Sequence, residues 1–227
     1  MREIVFDTET TGLDPRDGHR IVEFAGIEMV ERVPTGRFIH LYFNPMRSVP
    51  AEVEAIHGLS DDFLSDKPVF AAKARELIAF LEDSILVAHN APFDMRFLNS
   101  ELGRAGLDQI DGARVVDTLE LARKRFPGAK HSLDALCLRF GIDRSARVKH
   151  GALIDSELLA EVYIELTGGR QIGFAGFEAG LAGLAAGAEA VVRVAREARV
   201  FAVPEGELAA HGEFLDGMAD PLWRKVF

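Results

Sequence analysis

The 227-residue sequence contains one cysteine, Cys137. A lone thiol makes no internal disulfide and no cysteine-based zinc site, and this scarcity points to the cytoplasm. Cys137 lies in the apolar run Leu136-Cys137-Leu138 and reads as an inert core thiol. No apolar run reaches the ~20 residues that a membrane-crossing helix needs. The opening stretch, residues 1–7, is too short and too charged for a signal peptide. No internal repeat is visible. Positive charge is also scarce: 26 Lys and Arg stand against 36 Asp and Glu, a formal charge of −10. This balance argues against a broad basic surface for nucleic acid, but not against a site where metal ions supply the positive charge. One segment departs from the mean, with Arg123, Lys124, Arg125, Lys130, Arg139, Arg144, Arg147 and Lys149 close together. It reads either as a solvated helix face or as a phosphate-tracking rim beside an acidic centre.

Hydrophobic residues make up 48% of the chain, enough for a buried core. Short β-rich runs at residues 3–6, 21–30 and 38–43 predict an antiparallel meander. Residues 68–81 place Val69, Phe70, Ala74, Leu77, Ile78 and Leu81 at helical spacing. A buried strand is expected at 84–89, followed by a helix to about residue 102 with Pro92 in its first turn. Residues 114–117 read as a further strand. Ser132 caps a helix through Leu138, and residues 152–167 form a long amphipathic helix. Strands that come first as a meander and then alternate with helices predict an α/β fold, a mixed sheet with helices on its faces. Gly168-Gly169 closes this globular part. Residues 171–187, rich in Gly and Ala, read as a linker. Beyond it, residues 188–199 suggest a helix and 200–203 a short strand, before a polar tail ending at Phe227.

Asp7-Thr8-Glu9 ends the first strand. Alternation points positions 7 and 9 to one face, and two carboxylates there repel unless a proton or cation intervenes. Hard oxygen ligands of this kind suit Mg²⁺ or Mn²⁺. Asp94 falls in the first turn of the helix after the buried strand, where the helix dipole alone would favour an acid. His150 stands just before the long helix and Asp155 projects from its second turn. Each of these placements, taken singly, is also what an ordinary surface or helix-capping residue would show.

Together they form an ordered pattern: Phe6-Asp7-Thr8-Glu9-Thr10-Thr11-Gly12, then His89-Asn90-Ala91-Pro92-Phe93-Asp94, then His150-Gly151-Ala152-Leu153-Ile154-Asp155. Over residues 3 to 170 the sequence resembles the DEDDh exonucleases, whose fold is ribonuclease H-like. Within that family it is most similar to the epsilon, or proofreading, subunits of bacterial DNA polymerase III, above all in residues 150–169 and in Ala55-Ile56-His57-Gly58-Leu59-Ser60.

The resemblance implies 3′→5′ removal of nucleotides from a DNA 3′ end, releasing deoxynucleoside 5′-monophosphates. It implies two divalent cations, Mg²⁺ or Mn²⁺, held by Asp7, Glu9, Asp94 and Asp155, with Asp7 bridging both. His150 would be the general base, since an imidazole titrates near working pH. Besides Asp7, Glu9 and Asp155, it assigns Thr8, Leu13, Glu52, His57 and Asn90 to the substrate. Thr8 would offer its backbone N–H to the 3′ end, and Leu13 would wedge between bases. Phe93 is expected to pack. The implied organisation is an exonuclease domain at 1–170, a linker at 171–187 and a tail at 188–227 that holds the polymerase alpha subunit. A sliding-clamp segment is a candidate at Gln171-Ile172-Gly173-Phe174-Ala175-Gly176-Phe177, though the spacing to Phe177 departs from the family pattern. A theta-like subunit is a further possible partner. The same catalytic residues also fit a free-standing DEDDh exonuclease acting on RNA or short oligonucleotides.

Overall fold

A computed structural model describes residues 1–145, 147, 149–168, 203–219, 221 and 223. The chain divides into two compact units, Met1–Gly173 and Phe174–Phe227. The first unit is built on a five-stranded mixed sheet. Its strands are β1 (Arg2–Thr10), β2 (Ile21–Val30), β3 (Val33–Tyr42), β4 (Ile85–Ala88) and β5 (Val115–Asp117), in the spatial order β3-β2-β1-β4-β5. β1 pairs antiparallel with β2 and parallel with β4, and β4 runs parallel to β5. The helices are α1 (Ala51–His57), α2 (Asp61–Ser65), α3 (Phe70–Leu81), α4 (Ala91–Arg104), α5 (Thr118–Arg125), α6 (Leu133–Phe140) and α7 (Ala152–Leu166).

Central β1 is apolar on both faces because helices cover both. Ile4 and Phe6 join a core with Phe70, Leu77 and Leu81 of α3 and Phe97, Leu98 and Leu102 of α4. Val5 faces the other way, against Leu159, Ala160, Tyr163 and Ile164 of α7. Polar pins fix the helices to the sheet. Tyr163 Oη donates to the buried Glu3 carboxylate at 2.7 Å, and Ser156 Oγ donates to the Ala25 carbonyl at 3.2 Å. On α4, Glu101 accepts a two-pronged hydrogen bond from Arg20, at 2.5 and 2.8 Å. Cys137 is buried in a cluster with Leu136, Leu158 and Val162, as an inert core thiol should be.

The fold is the mixed α/β architecture expected, with differences in detail. β3 begins at Val33, five residues before the anticipated run. The hairpin reaches it through Glu31 and Arg32, both with positive φ (50° and 64°), a two-residue turn that lacks its usual Asn-Gly signature. Helices α1, α2 and α5 were not anticipated. Each is short, and α5 starts where Asp117, the last residue of β5, turns its side chain to accept from Leu119 N. In the second unit, residues 205–216 form a helix, α8 (Glu205–Asp216), where no element was expected. Two acids in its first turn, Glu205 and Glu207, favour that end of a helix. The linker, the helix at 188–199 and the strand residues 200–202 lie outside the described residues; Val203 belongs to no helix or strand. No helix among the described residues is long and apolar enough to cross a membrane.

Candidate active site

Asp7, Thr8 and Glu9 lie within the C-terminal half of β1. Alternation sends Asp7 and Glu9 to the α7 side with Val5, and Thr8 to the α4 side with Ile4 and Phe6. The site forms where these two sides meet, beyond the carboxyl ends of the parallel strands, the usual place for ligands in such sheets. Asp94 sits in the first turn of α4 and is 3% exposed. Thr8 Oγ1 donates to its Oδ1 at 2.7 Å, so β1 and α4 are joined at the site itself. Asp155, expected in the second turn of the long helix, lies in the first turn of α7 and is 4% exposed. His150 Nδ1 lies 3.3 Å from Asp155 Oδ2. Glu9, His150 and Asp155 each offer a ligand atom, all within 4.8 Å of one another. The His150 backbone N–H donates to the Ile56 carbonyl at 3.3 Å, which brings α1 alongside.

Burial and mutual repulsion dominate the electrostatics. Burial, then the charges of Asp94, Glu9, Asp155 and Glu23, hold the Asp7 carboxyl well above the usual range. Glu9 is pushed up to about 8, first by burial and then by Glu23, Asp155 and Asp94, with Arg147 opposing. Burial likewise pushes Asp94 up to about 7 against the hydrogen bond from Thr8. Ionised together, these groups need added positive charge; without it they retain protons. Clustered hard oxygen donors with a nearby imidazole fit a divalent cation.

The other expected site residues differ in placement. His57 is buried; its Nδ1 accepts from Leu59 N at 3.0 Å, while its Nε2 has no hydrogen-bond partner. A buried donor without an acceptor is costly unless a ligand supplies one. Asn90 precedes α4 at φ 67° and leaves its side chain out of the cap. Leu13 is 80% exposed, so it is not a core residue. Glu52 is exposed in the first turn of α1. Neither Leu13 nor Glu52 is joined to the carboxylates by a hydrogen bond or ion pair. Phe93 packs, with its ring 5.1 Å from that of Phe97.

Two residues that sequence reasoning passed over matter here. Glu23 lies opposite Glu9 in the β1–β2 register, is buried, and approaches His40 Nε2 at 2.6 Å. Only the strand pairing reveals it. Arg147, grouped in the sequence with the basic rim, has a side chain only 8% exposed. It donates Nε and Nη2 to Asp155 Oδ1 and Oδ2 at 2.5 and 2.7 Å, and Nη1 to Asp134 Oδ1 at 2.8 Å. Arg125 is not free to track phosphate either, since Nη1 donates to the Leu166 carbonyl at the end of α7, at 2.7 Å.

Residues 4–163 match the exonuclease family model. DNA polymerase III subunit epsilon of Salmonella typhimurium is 43% identical over 225 residues, covering 95% of this chain and 92% of that one. The chain belongs to the family of DNA polymerase III epsilon subunits. The epsilon subunit of Rickettsia felis is 56% identical over 177 residues, 77% of each chain. Among solved structures, Exonuclease X in complex with 5′ overhanging duplex DNA superposes with a TM-score of 0.57 at 27% identity, over 73% of this chain and 90% of that one. The nuclease domain of 3′hExo, a DEDDh family member, shares the fold at a TM-score of 0.64 and 17% identity, over 73% of this chain and 91% of that one. This epsilon-family chain is thus a metal-dependent 3′→5′ exonuclease with the ribonuclease H-like DEDDh fold.

The raised carboxyls make a stability prediction. Glu9 moves from an ordinary 4.5 to about 8 on folding, and Asp94 from 3.8 to about 7. The folded state then holds protons that the unfolded chain has released. The stability these groups contribute is complete below their unfolded values and is lost as pH rises through their folded values. In chelator, the thermal midpoint should fall between about pH 5 and about pH 8, and a saturating divalent cation should abolish that fall. A midpoint in chelator that stays level or rises across this window contradicts the electrostatics described.

Proposed function

We propose that this chain proofreads bacterial DNA replication by excising mispaired nucleotides from the primer 3′ end, with Asp7, Glu9, Asp94 and Asp155 as ligands of two divalent cations, Mg²⁺ or Mn²⁺. The observation that carries this reading is the meeting of the β1 acids with buried Asp94 of α4 and buried Asp155 of α7 beside one imidazole. Bound there, such cations would activate water and offset charge on the departing 3′ oxygen. His150 accepts the proton of the attacking water as general base. Thr8 steadies Asp94 through its hydroxyl. Leu13, Glu52, His57 and Asn90, with Asp7, Thr8, Glu9 and Asp155, receive the terminal nucleotide. The unpartnered Nε2 of His57 supports this role, because a substrate oxygen would satisfy it. Discrimination needs no base readout: the end must leave the duplex to reach the site, and a mismatch unpairs at least cost.

The names of the relatives support a place within DNA polymerase III, and the lone cysteine suits the cytoplasm. In this reading residues 1–170 are the exonuclease domain, 171–187 the linker and 188–227 the tail that holds the alpha subunit. Residues 171–177 are the candidate clamp contact, and a theta-like subunit is a further partner. Exposed Leu208 and Phe214 on α8, and Trp223 beyond it, supply apolar surface for such a tail.

Asp7→Ala should abolish exonuclease activity on single-stranded DNA while the protein stays folded, and His150→Ala should slow turnover by about 10²–10⁴-fold. Undiminished activity in Asp7→Ala, or faster degradation of RNA than DNA by the unaltered chain, rejects the assignment. A chain ending at residue 180 should keep its nuclease activity but no longer co-purify with the polymerase alpha subunit. Retained co-purification removes the role given to the tail.

A further inference from the structure

The side chain of Arg147 engages three residues around the carboxylate site. Its bidentate pairing with Asp155 takes a lone pair on both carboxylate oxygens. Nη2 also reaches His150 Nδ1 at 2.8 Å. A guanidinium can only donate hydrogen bonds, so His150 Nδ1 is the acceptor here. The neutral ring then carries its proton on Nε2. In that arrangement neither ring nitrogen has a free lone pair for the proton of a water molecule. The remaining arm, Nη1, is anchored outside the acidic site, on Asp134 of α6.

Resting on the reading that Asp155 is a cation ligand, we propose that Arg147 is a positioning residue that latches the cation-free site. It neutralises Asp155 and ties up His150 until a divalent cation displaces it. The cation needs Asp155 oxygens that the guanidinium holds, and two positive charges this close repel in a poorly screened site. Displacement leaves Asp155 to the cation, and His150 can then take a proton from water on Nδ1, facing Asp155 Oδ2 already 3.3 Å away, and give the Nε2 proton back to water. That leaves Nε2 with a lone pair facing solvent. Asp134 braces the guanidinium in this latched position, through the nitrogen that touches neither Asp155 nor His150.

Calorimetric titration of the full chain with Mn²⁺, without nucleic acid, separates a latch from a support. Removing an ordinary supporting donor of a metal ligand weakens affinity by about 10–100-fold. The latch predicts the opposite sign: Arg147→Gln should bind Mn²⁺ about threefold or more tighter than the unaltered chain, because a competing charge is gone. Equal or weaker binding overturns the proposal. Should Arg147→Gln fail to fold by circular dichroism, Asp134→Asn decides the matter. It keeps the arginine but frees its anchor, so Mn²⁺ binding should tighten, and unchanged or weaker binding again overturns the latch. Asp155→Asn tests the underlying reading separately. If it binds Mn²⁺ as the unaltered chain does, the ligand assignment fails with the latch. If it loses binding while Arg147→Gln shows no gain, only the latch fails.

Discussion

Repulsion between carboxylates is the constraint around which this molecule is organised. Asp7, Glu9, Asp94 and Asp155 come from three elements and meet in a largely buried volume, where each ionised group disfavours the next. No local sequence preference produces that crowding. The sheet and two helices must hold it against burial and like charge, and the site answers with protons, with Arg147, or with cations. An exonuclease gains from this tension, since a site that strains to stay ionised binds divalent cations where phosphodiester charge must be offset.

The scaffold is suited to the task because its supports lie just behind the acids. Residues 4–6 of β1 are wholly buried, so Asp7 and Glu9 extend from a rigid strand. Helix α4, bearing Asp94, is fixed at its site end by Thr8 and further along by the Arg20–Glu101 pair. Helix α7, bearing Asp155, is pinned next to that residue by Ser156 and further along by Tyr163. His150 is different: half exposed and reached by a loop, it is the member of the group with freedom to change partners.

Much of this was legible in the sequence, and the exceptions have physical causes. Asp94 could be placed because Pro92 marks the start of its helix, and Asp7 and Glu9 because strand alternation puts them on one face. The mixed sheet with helices on its faces followed from a meander before alternating elements. By contrast, Glu23 depends on the register of β2 against β1, which no local signal states. Arg147 carries the composition of a solvated segment, and its burial follows only from the fold of the loop onto α6 and α7. His57 was assigned to the substrate by resemblance alone, and its buried, unpartnered Nε2 emerges only once α1 has packed. The onset of β3 was missed because Glu31 and Arg32 adopt a left-handed turn usually reserved for Gly and Asn.

That Asp7, Glu9 and Asp94 keep protons until cations arrive has a direct test. Mg²⁺ binding to the unaltered chain can be followed by calorimetry near neutral pH in buffers of different ionisation enthalpy, which counts protons exchanged. Release on the order of one proton is expected as the site fills. Binding that releases none would contradict it.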